Sequence, residues 1–308
     1  MTSSLHIGTA GWSYPHWNGV VYPKSTAGGK HPLEFLAAKL DAVEINSSFY
    51  QALKPEVTGV WLKKAQFNKD FKFSAKLYRR FTHDRVLDPQ EIVAFKVGLY
   101  PLLRSGKLAA LLMQFPWSFR FTPENQEFLI RLRRAFHEFP LVAEMRHSSW
   151  LAEEAIGTFL DYKIGFCNLD QPEYTSAMPP TSYLTSAIGY VRLHGRNPQN
   201  NLGGFDRHAA SEPTGSVPSA RLRQHDYLYS ETELQQWRTR IERISRYAET
   251  TFVIFNNDAY GKSVVNALQL QTMQTGRPVA IPRELRRKFP LELDSIRNYE
   301  QQYLFPAA

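Results

Sequence analysis

The chain has 308 residues, of which 43% are hydrophobic, and it carries a formal net charge of +8 at pH 7. This length allows two average domains or one large α/β domain, and the apolar content is enough to bury a sizeable core. No apolar run is long enough to span a bilayer and no secretion signal opens the chain, so we expect a soluble, cytoplasmic protein with no membrane partner. The positive charge favours an anionic partner, either a small molecule or nucleic acid.

Short apolar runs alternate with helical patterns along the chain and predict eight strands. The predicted strands run from His6 to Trp12, Asp41 to Tyr50, Phe71 to Lys76, Leu108 to Pro116, Leu141 to Arg146, Ile164 to Asp170, Ile188 to Gly195 and Thr251 to Asn257. The helices predicted between and after them include His31 to Lys39, Pro55 to Phe67, Pro89 to Arg104, a helix opening at Thr122-Pro123, Leu151 to Tyr162, Glu231 to Tyr247 and Val264 to Met273.

This alternation predicts the fold class. Strands that alternate with helices form a parallel sheet, and eight such units predict an α/β fold of the (β/α)8 TIM-barrel type. No dinucleotide glycine fingerprint or phosphate loop supports an open sheet instead. We expect a single domain over residues 1–308, with its motifs within about 6–275 and an extension, 276–308, packed on the outside of the barrel.

Two connections depart from the helical pattern. Residues 171–187, after the sixth strand, are too rich in Pro, Ser and Thr for a helix and predict an irregular connection. Residues 196–229, after the seventh strand, form a long polar loop. This loop is either a mobile lid hinged at Gly203-Gly204, with arginines that close over an anion, or a plain insertion. Those arginines are Arg196, Arg207, Arg221 and Arg223.

Polar residues cluster where the predicted strands end, although strands of a parallel barrel are covered on both faces and should be nearly all apolar. Barrel enzymes assemble their active sites at this C-terminal end. We therefore expect a substrate-binding site there. Its predicted contact residues are Trp12, Tyr14, Asn46, Lys76, Gln114, Arg146, Asp170, Arg192, Asn256 and Asn257.

The charges at the strand ends indicate the chemistry of the predicted site. Lys76, Arg146 and Arg192 suit a phosphate, sulfate or carboxylate group. Glu44 and Glu144 are predicted either to act as general acid and base or to hold the cations in place. His194 is the predicted proton carrier, because an unperturbed imidazole titrates near neutrality, and its alternative role is that of a neutral core imidazole.

A metal ion fits this set poorly. Glu44, Glu144, Asp170 and His194 offer oxygen and nitrogen ligands, but no short ligand motif joins them and the neighbouring cations repel a divalent ion. We therefore expect neither a metal nor another cofactor. The single cysteine, Cys167, lies in an apolar run and is predicted to be a buried core thiol.

Three aromatic residues, Trp12, Tyr14 and Trp17, lie in one loop after the first strand. They form either a small core beneath the loop or a stacking wall for a sugar or a base. The two alternatives lead to different functions. A stacking wall, together with a basic surface, fits a nucleic-acid-binding protein, whereas cations and carboxylates in one pocket fit an enzyme with an anionic substrate.

The ordered motifs of the chain resemble those of the domain-of-unknown-function-72 family, the YecE-like proteins. These motifs are Gly8 to Trp17 with Tyr22-Pro23, Val43 to Asn46 with Phe49-Tyr50, Lys76 with Thr82-His83, Gln114 to Pro116, Glu144 to Trp150, Val191 to Gly195, Asp226 to Ser230 and Phe255 to Asn257. The resemblance implies a TIM barrel but no reaction. That barrel is similar to those of endonuclease IV and the xylose isomerases, which implies a nucleic-acid or sugar ligand by analogy. The chain departs from the metal-rich clusters of endonuclease IV.

Overall fold

Eight parallel strands close into a barrel in the order of the sequence, β1 to β8, so the predicted TIM barrel is confirmed. The computed structural model describes residues 3–24, 30–197, 222–223, 225–277, 279–294 and 296 of the chain. The strands are β1 Ser4–Ala10, β2 Ala42–Ile45, β3 Lys72–Lys76, β4 Leu108–Gln114, β5 Leu141–Glu144, β6 Gly165–Asp170, β7 Ile188–Leu193 and β8 Thr250–Phe255.

The described α-helices lie between the strands and after the last one. They are α1 Pro32–Ala37, α2 Pro55–Ala65, α3 Arg79–Thr82, α4 Pro89–Arg104, α5 Pro123–Ala135, α6 Glu153–Asp161, α7 Glu231–Ser245, α8 Lys262–Thr275 and α9 Arg283–Lys288. Prolines open α1, α2, α4 and α5, where the missing N–H has no partner to lose. A capping box formed by Ser230 and Glu233 opens α7.

Several strands are shorter than predicted at their C-terminal ends. β2 stops at Ile45 because Asn46 takes a helical backbone conformation, with φ −85° and ψ −29°, and a 3-10 turn follows. β8 stops at Phe255, so Asn256 and Asn257 lie in the loop beyond it. The polar residues of the predicted site thus lie partly on strands and partly on the first residues of the connecting loops.

The interior of the barrel is filled by alternate side chains of the strands, as the pleat requires. The small interior core consists of Ala10, Ala42, Ala109, Ala110, Leu112, Val142, Cys167, Tyr190, Phe252 and Ile254. Cys167 is fully buried there, as predicted, and burial raises the pKa of its thiol well above the usual value. A larger apolar layer separates the barrel from its helices.

The helices α2 and α4 pack closely at one glycine. Thr58 donates its hydroxyl hydrogen to the carbonyl oxygen of Gly98 at 2.9 Å. A Cβ atom at position 98 would lie 2.1 Å from the carbonyl oxygen of Leu53. Gly98 is therefore required by a close approach of backbones, in contrast to Gly59 on α2, where a Cβ would meet nothing within 4 Å.

The connection after β6, residues 171–187, contains no helix, as predicted. Residues 198–221 and 224 of the predicted lid lie outside the described residues, and these include the predicted hinge Gly203-Gly204. After α8, the described part of the C-terminal extension buries the side chains of Leu285, Phe289, Leu293 and Ile296 in the outer apolar layer. Among the described residues, no helix has the length and hydropathy needed to cross a bilayer.

Candidate active site

Arg192 lies at the centre of the predicted site, on the interior face of β7. Its side chain is fully buried, and its donors are directed at two carboxylates. Nη2 and Nε donate to the two oxygens of Glu44 at 2.7 and 3.0 Å, and Nη1 donates to Glu144 Oε2 at 2.5 Å. We predicted Arg192 to grip a substrate anion. The structure instead places it between Glu44 on β2 and Glu144 on β5, so that it holds both carboxylates in position.

Glu44 also contacts residues deeper in the barrel interior. The Tyr190 hydroxyl lies 3.1 Å from Glu44 Oε2 and 2.8 Å from Ser74 Oγ. Burial raises the pKa of Tyr190 well above its usual value, so the phenol keeps its proton and can donate it. Tyr190 was not among the predicted site residues, although it precedes Arg192 by two residues and therefore shares its face of β7.

Glu144 shares one oxygen with a second arginine. Arg146 Nε and Nη2 lie 3.1 and 2.9 Å from Glu144 Oε1, while Arg192 occupies Oε2. Burial by itself would raise the pKa of Glu144. The adjacent positive charge of Arg192, with a further contribution from Arg146, outweighs burial and holds this pKa well below the usual value. Glu144 is therefore a carboxylate at neutral pH.

His194 is a neutral imidazole in this environment. Its side chain is fully buried, and burial lowers its pKa to about 3. Nε2 lies 3.3 Å from Glu144 Oε1, and Nδ1 lies 3.0 Å from Asn256 Nδ2. Nε2 also lies 3.2 Å from Arg192 Nη1, which can only donate. The neutral ring carries one proton, so Nε2 either donates to Glu144 or accepts from Arg192. Of the two predicted roles of His194, the geometry fits the neutral imidazole.

The cluster as a whole carries more positive than negative charge. Lys76 ends β3, with Nζ 3.9 Å from Glu44 Oε1, and its side chain is 14% exposed. Lys76, Arg146 and Arg192 supply three positive charges, and Glu44 and Glu144 supply two negative ones. Because His194 is neutral, one positive charge remains unbalanced at the C-terminal mouth. A low-dielectric wall around such a charge strengthens its attraction for an anion.

The rim beside Lys76 is partly aromatic. Lys76 Nζ lies 5.7 Å from the centre of the Phe49 ring, which is half-buried. On the β2 side, Asn46 Nδ2 donates to the Tyr14 hydroxyl oxygen at 3.2 Å. On the β4 side, Gln114 is 9% exposed and pairs with Glu144 in the strand ladder. Tyr14, Asn46, Lys76 and Gln114 were predicted as contact residues. Phe49 was not, although it belongs to one of the family motifs.

Asp170 and Asn257 do not join the others at the mouth. Cys167 faces the barrel interior, so Asp170, three positions later on β6, faces the helices. Its carboxylate accepts from Arg196 Nε at 2.9 Å and from Trp237 Nε1 of α7 at 2.9 Å. Asn257 also points outward, where its Nδ2 donates to Tyr227 O and Asn266 Oδ1. Their contacts fit structural roles instead of the predicted contact with substrate.

The aromatic residues after β1 form a small core and not an open wall. Trp17 is fully buried and donates its indole N–H to Asp258 O at 2.7 Å. Trp12 is 8% exposed and packs edge-on against Trp61. Only Tyr14 of this group is half-buried and adjoins the mouth, through Asn46. Trp12 and Trp17 therefore offer no face on which a base could stack, which corrects that alternative.

Other parts of the described chain contrast with the mouth in two respects. Within the described ranges, no group of three or more His, Cys, Asp and Glu side chains is arranged to hold a metal ion. An open surface depression of about 410 Å³ lies at the opposite, N-terminal end of the barrel, and none of the predicted site residues lines it. Its lining residues are Leu62, Lys63, Gln66, Lys69, Ser105 and Lys107.

The fold and the site define a TIM-barrel protein with a buried ion cluster at its C-terminal mouth. Residues 6–288 match the family model described as "Protein of unknown function DUF72", and the chain belongs to this family. The resemblance predicted from the motifs is thus confirmed.

Relatives of known sequence and structure agree with this assignment. The chain is 28% identical to UPF0759 protein YunF of Bacillus subtilis (strain 168) over 282 residues, which cover 86% of this chain and 93% of that protein. It is 30% identical to a DUF72 family protein from Thermotoga maritima MSB8, whose crystal structure matches with a TM-score of 0.73 and covers 88% of this chain and 99% of the other. A DUF72 family protein from Enterococcus faecalis V583 is 25% identical, with a TM-score of 0.71 and coverage of 87% and 94%.

Proposed function

We propose that the protein is an enzyme that binds an anionic substrate, phosphate-bearing or sugar-like, at the C-terminal mouth of the barrel. The observation that carries the proposal is the unbalanced positive charge of the buried cluster, in which Lys76 is the cation with some exposure. The cluster lies at the end where barrel enzymes bind their substrates. A buried group of charges is costly to fold, so its presence at this place supports a functional role.

The contacts within the cluster assign different roles to its members. Lys76 and Arg146 are the proposed anion-binding residues, because Lys76 is partly exposed and Arg146 lies in the loop that follows β5. Arg192 is a positioning residue, since its donors hold Glu44 and Glu144. The proposed proton-transfer groups are these two carboxylates, with His194 as a neutral partner that orients Glu144.

The alternative of a nucleic-acid-binding protein receives less support. Its aromatic element, the loop with Trp12 and Trp17, has both indoles buried. The two functions also differ in their dependence on salt. A single bound anion gives a shallow loss of affinity as salt increases, whereas contacts with many phosphates give a steep one.

Calorimetric titration of the full chain with phosphorylated and carboxylated metabolites, and with short oligonucleotides at two salt concentrations, tests the proposal. We expect binding that Lys76→Met weakens by about tenfold or more, because a charge-assisted hydrogen bond is lost. Lys64→Met is the matched control, since Lys64 pairs with Glu34 on the outer surface. Equal effects of the two variants, or binding confined to oligonucleotides with a steep salt dependence, would contradict the proposal.

Catalysis needs a separate measurement. Any ligand found in this way is incubated with the protein and its conversion is followed by mass spectrometry. Glu144→Gln keeps the size of the side chain and removes its charge, so we expect conversion to stop while the variant still binds the ligand. Binding without conversion by the unchanged protein would make it an anion-binding protein and not an enzyme.

A further inference from the structure

Four neighbouring strands end at the mouth with side chains that alternate in hydrogen-bonding character. Going from β2 to β5, the polar side chains are Asn46, Lys76, Gln114 and Arg146. Lys76 and Arg146 are cations and can only donate hydrogen bonds. The two amides, which alternate with these cations, each bury a carbonyl oxygen, which can only accept. The rim therefore offers acceptors and cationic donors in turn.

The carbonyl oxygens of both amides are buried without a hydrogen-bond partner among the described residues. These atoms are Asn46 Oδ1 and Gln114 Oε1. The orientation of Asn46 is fixed by its neighbour: Tyr14 donates its hydroxyl hydrogen to Ala10 O at 2.5 Å, so the Tyr14 oxygen must accept from Asn46 Nδ2. Gln114 is more than nine-tenths buried on the interior face of β4. A buried acceptor without a donor is costly, and a ligand that supplies the donor removes this cost.

The ligand donors must be uncharged. The ion cluster already carries one unbalanced positive charge, so an ammonium group brought to Asn46 or Gln114 would be repelled. Hydroxyl groups donate without a charge. The half-buried rings of Phe49 and Tyr14 lie beside Lys76 and Asn46, and such rings pack against the C–H faces of hydroxylated ligands.

We propose that the mouth recognises a polyhydroxylated anion, that is, a sugar acid or a sugar phosphate. Its hydroxyls donate to Asn46 Oδ1 and Gln114 Oε1, and its carboxylate or phosphate accepts from Lys76 and Arg146. This inference rests on the proposed function and names the substrate class for the same site. It also separates this class from bare anions, which have few or no hydroxyl donors for the two amides.

Titration of the full chain with four kinds of probe tests the substrate class. The probes are sugar acids and sugar phosphates of three to seven carbons, inorganic phosphate, hexanoate as a carboxylate without hydroxyls, and sorbitol as a polyol without charge. We expect at least one hydroxylated anion to bind about tenfold more tightly than hexanoate, sorbitol and phosphate. Comparison of the sugar acids with the sugar phosphates decides whether the anionic group of the ligand is a carboxylate or a phosphate.

The variant Gln114→Met tests the amide directly, because methionine keeps the shape and removes the carbonyl oxygen. We expect it to weaken binding of the hydroxylated anion by about three- to tenfold and to leave binding of inorganic phosphate unchanged. Its stability in urea should not fall, since a buried acceptor without a partner has been removed. Gln236→Met, on the exposed face of α7, is the matched control, and Asn46→Ala tests the second acceptor independently.

The outcomes separate this inference from the proposed function. If hexanoate or phosphate binds as tightly as every hydroxylated anion, or if Gln114→Met and Asn46→Ala change nothing, the substrate class is wrong and the anion site stands. If no anion in the panel binds with a Kd below about 10 mM, both proposals are overturned.

Discussion

Arg192 and Glu44 form a two-point ion pair across the barrel interior, with Nη2 2.7 Å from Oε1 and Nε 3.0 Å from Oε2. The same guanidinium reaches Glu144 at 2.5 Å. The stability of the buried carboxylates of Glu44 and Glu144 depends on Arg192. Without its charge the two carboxylates repel each other in a medium that does not screen them.

The first prediction follows from this arrangement. Arg192→Met leaves Glu44 and Glu144 buried with less compensation, so we expect the free energy of unfolding in urea to fall by about 3–5 kcal/mol. The control is Arg238→Met, which removes an exposed pair with Glu242 on α7 and should change stability by less than about 0.5 kcal/mol.

A second substitution keeps the first prediction testable if Arg192→Met alone does not fold. Adding Glu44→Gln to Arg192→Met removes the carboxylate that has lost both of its arginine donors, whereas Glu144 keeps Arg146. We expect the second substitution to restore part of the lost stability or solubility. Equal stability of Arg192→Met and Arg238→Met, or no recovery on adding Glu44→Gln, would show that the buried charges are not coupled as the distances indicate.

The second prediction concerns His194 and pH. Burial lowers its pKa from 6.5 to about 3 in the folded protein, whereas the unfolded chain titrates near 6.5. Between these values the unfolded state binds the proton and the folded state does not, so acid favours unfolding. We expect this residue to lower the free energy of unfolding by about 1.4 kcal/mol per pH unit between pH 6 and 4, and to have no such effect above pH 7.

The comparison with His194→Gln isolates this contribution, because glutamine does not titrate and its amide can still donate to Glu144. The depressed pKa of Glu144 also makes stability fall in acid, but it acts in both proteins. We therefore expect the stability of the unchanged protein to drop more steeply below pH 6 than that of the variant. Parallel curves of stability against pH for the two proteins would contradict the neutral, buried state of His194. So would a His194 imidazole resonance that titrates near pH 6.5.

The third prediction tests the packing of α2 against α4 with two identical substitutions. Gly98→Ala places a Cβ 2.1 Å from Leu53 O and should lower the free energy of unfolding by about 1–3 kcal/mol. Gly59→Ala adds a methyl group in open space within α2 and should raise it by up to about 1 kcal/mol. Thermal unfolding of both variants is the measurement. A stabilising effect of Gly98→Ala would show that α4 lies farther from the backbone of Leu53 than this distance indicates.

Much of the fold was accessible from the sequence because its signals are local. The alternation of apolar strands with helical patterns predicted the barrel, and the cap at Ser230 and Glu233 marked the start of α7. The strand ends were less accessible. Asn46 was predicted within a strand, but its backbone turns helical, and a polar residue at a strand end fits either conformation.

The site was accessible only in part, because its character depends on contacts between distant strands. The period of two placed Arg192 and His194 on one face of β7, but it could not reveal that Glu44 and Glu144 occupy the donors of Arg192. The same period put Asp170 in phase with Asn168 without indicating that their shared face points away from the barrel interior, toward Tyr183 of the connection after β6 and Trp237 of α7. Which face of a strand is interior depends on the register of the closed barrel, and this requires all eight strands.

The proposed anion site is tested most directly by locating a bound anion in a crystal soaked with selenate, a tetrahedral dianion whose selenium scatters anomalously. We expect the strongest anomalous peak at the C-terminal mouth, with selenate oxygens within hydrogen-bond distance of Lys76 Nζ and the Arg146 guanidinium. A peak found instead at the N-terminal depression near Lys63, Lys69 and Lys107, with none at the mouth, would contradict the proposed site.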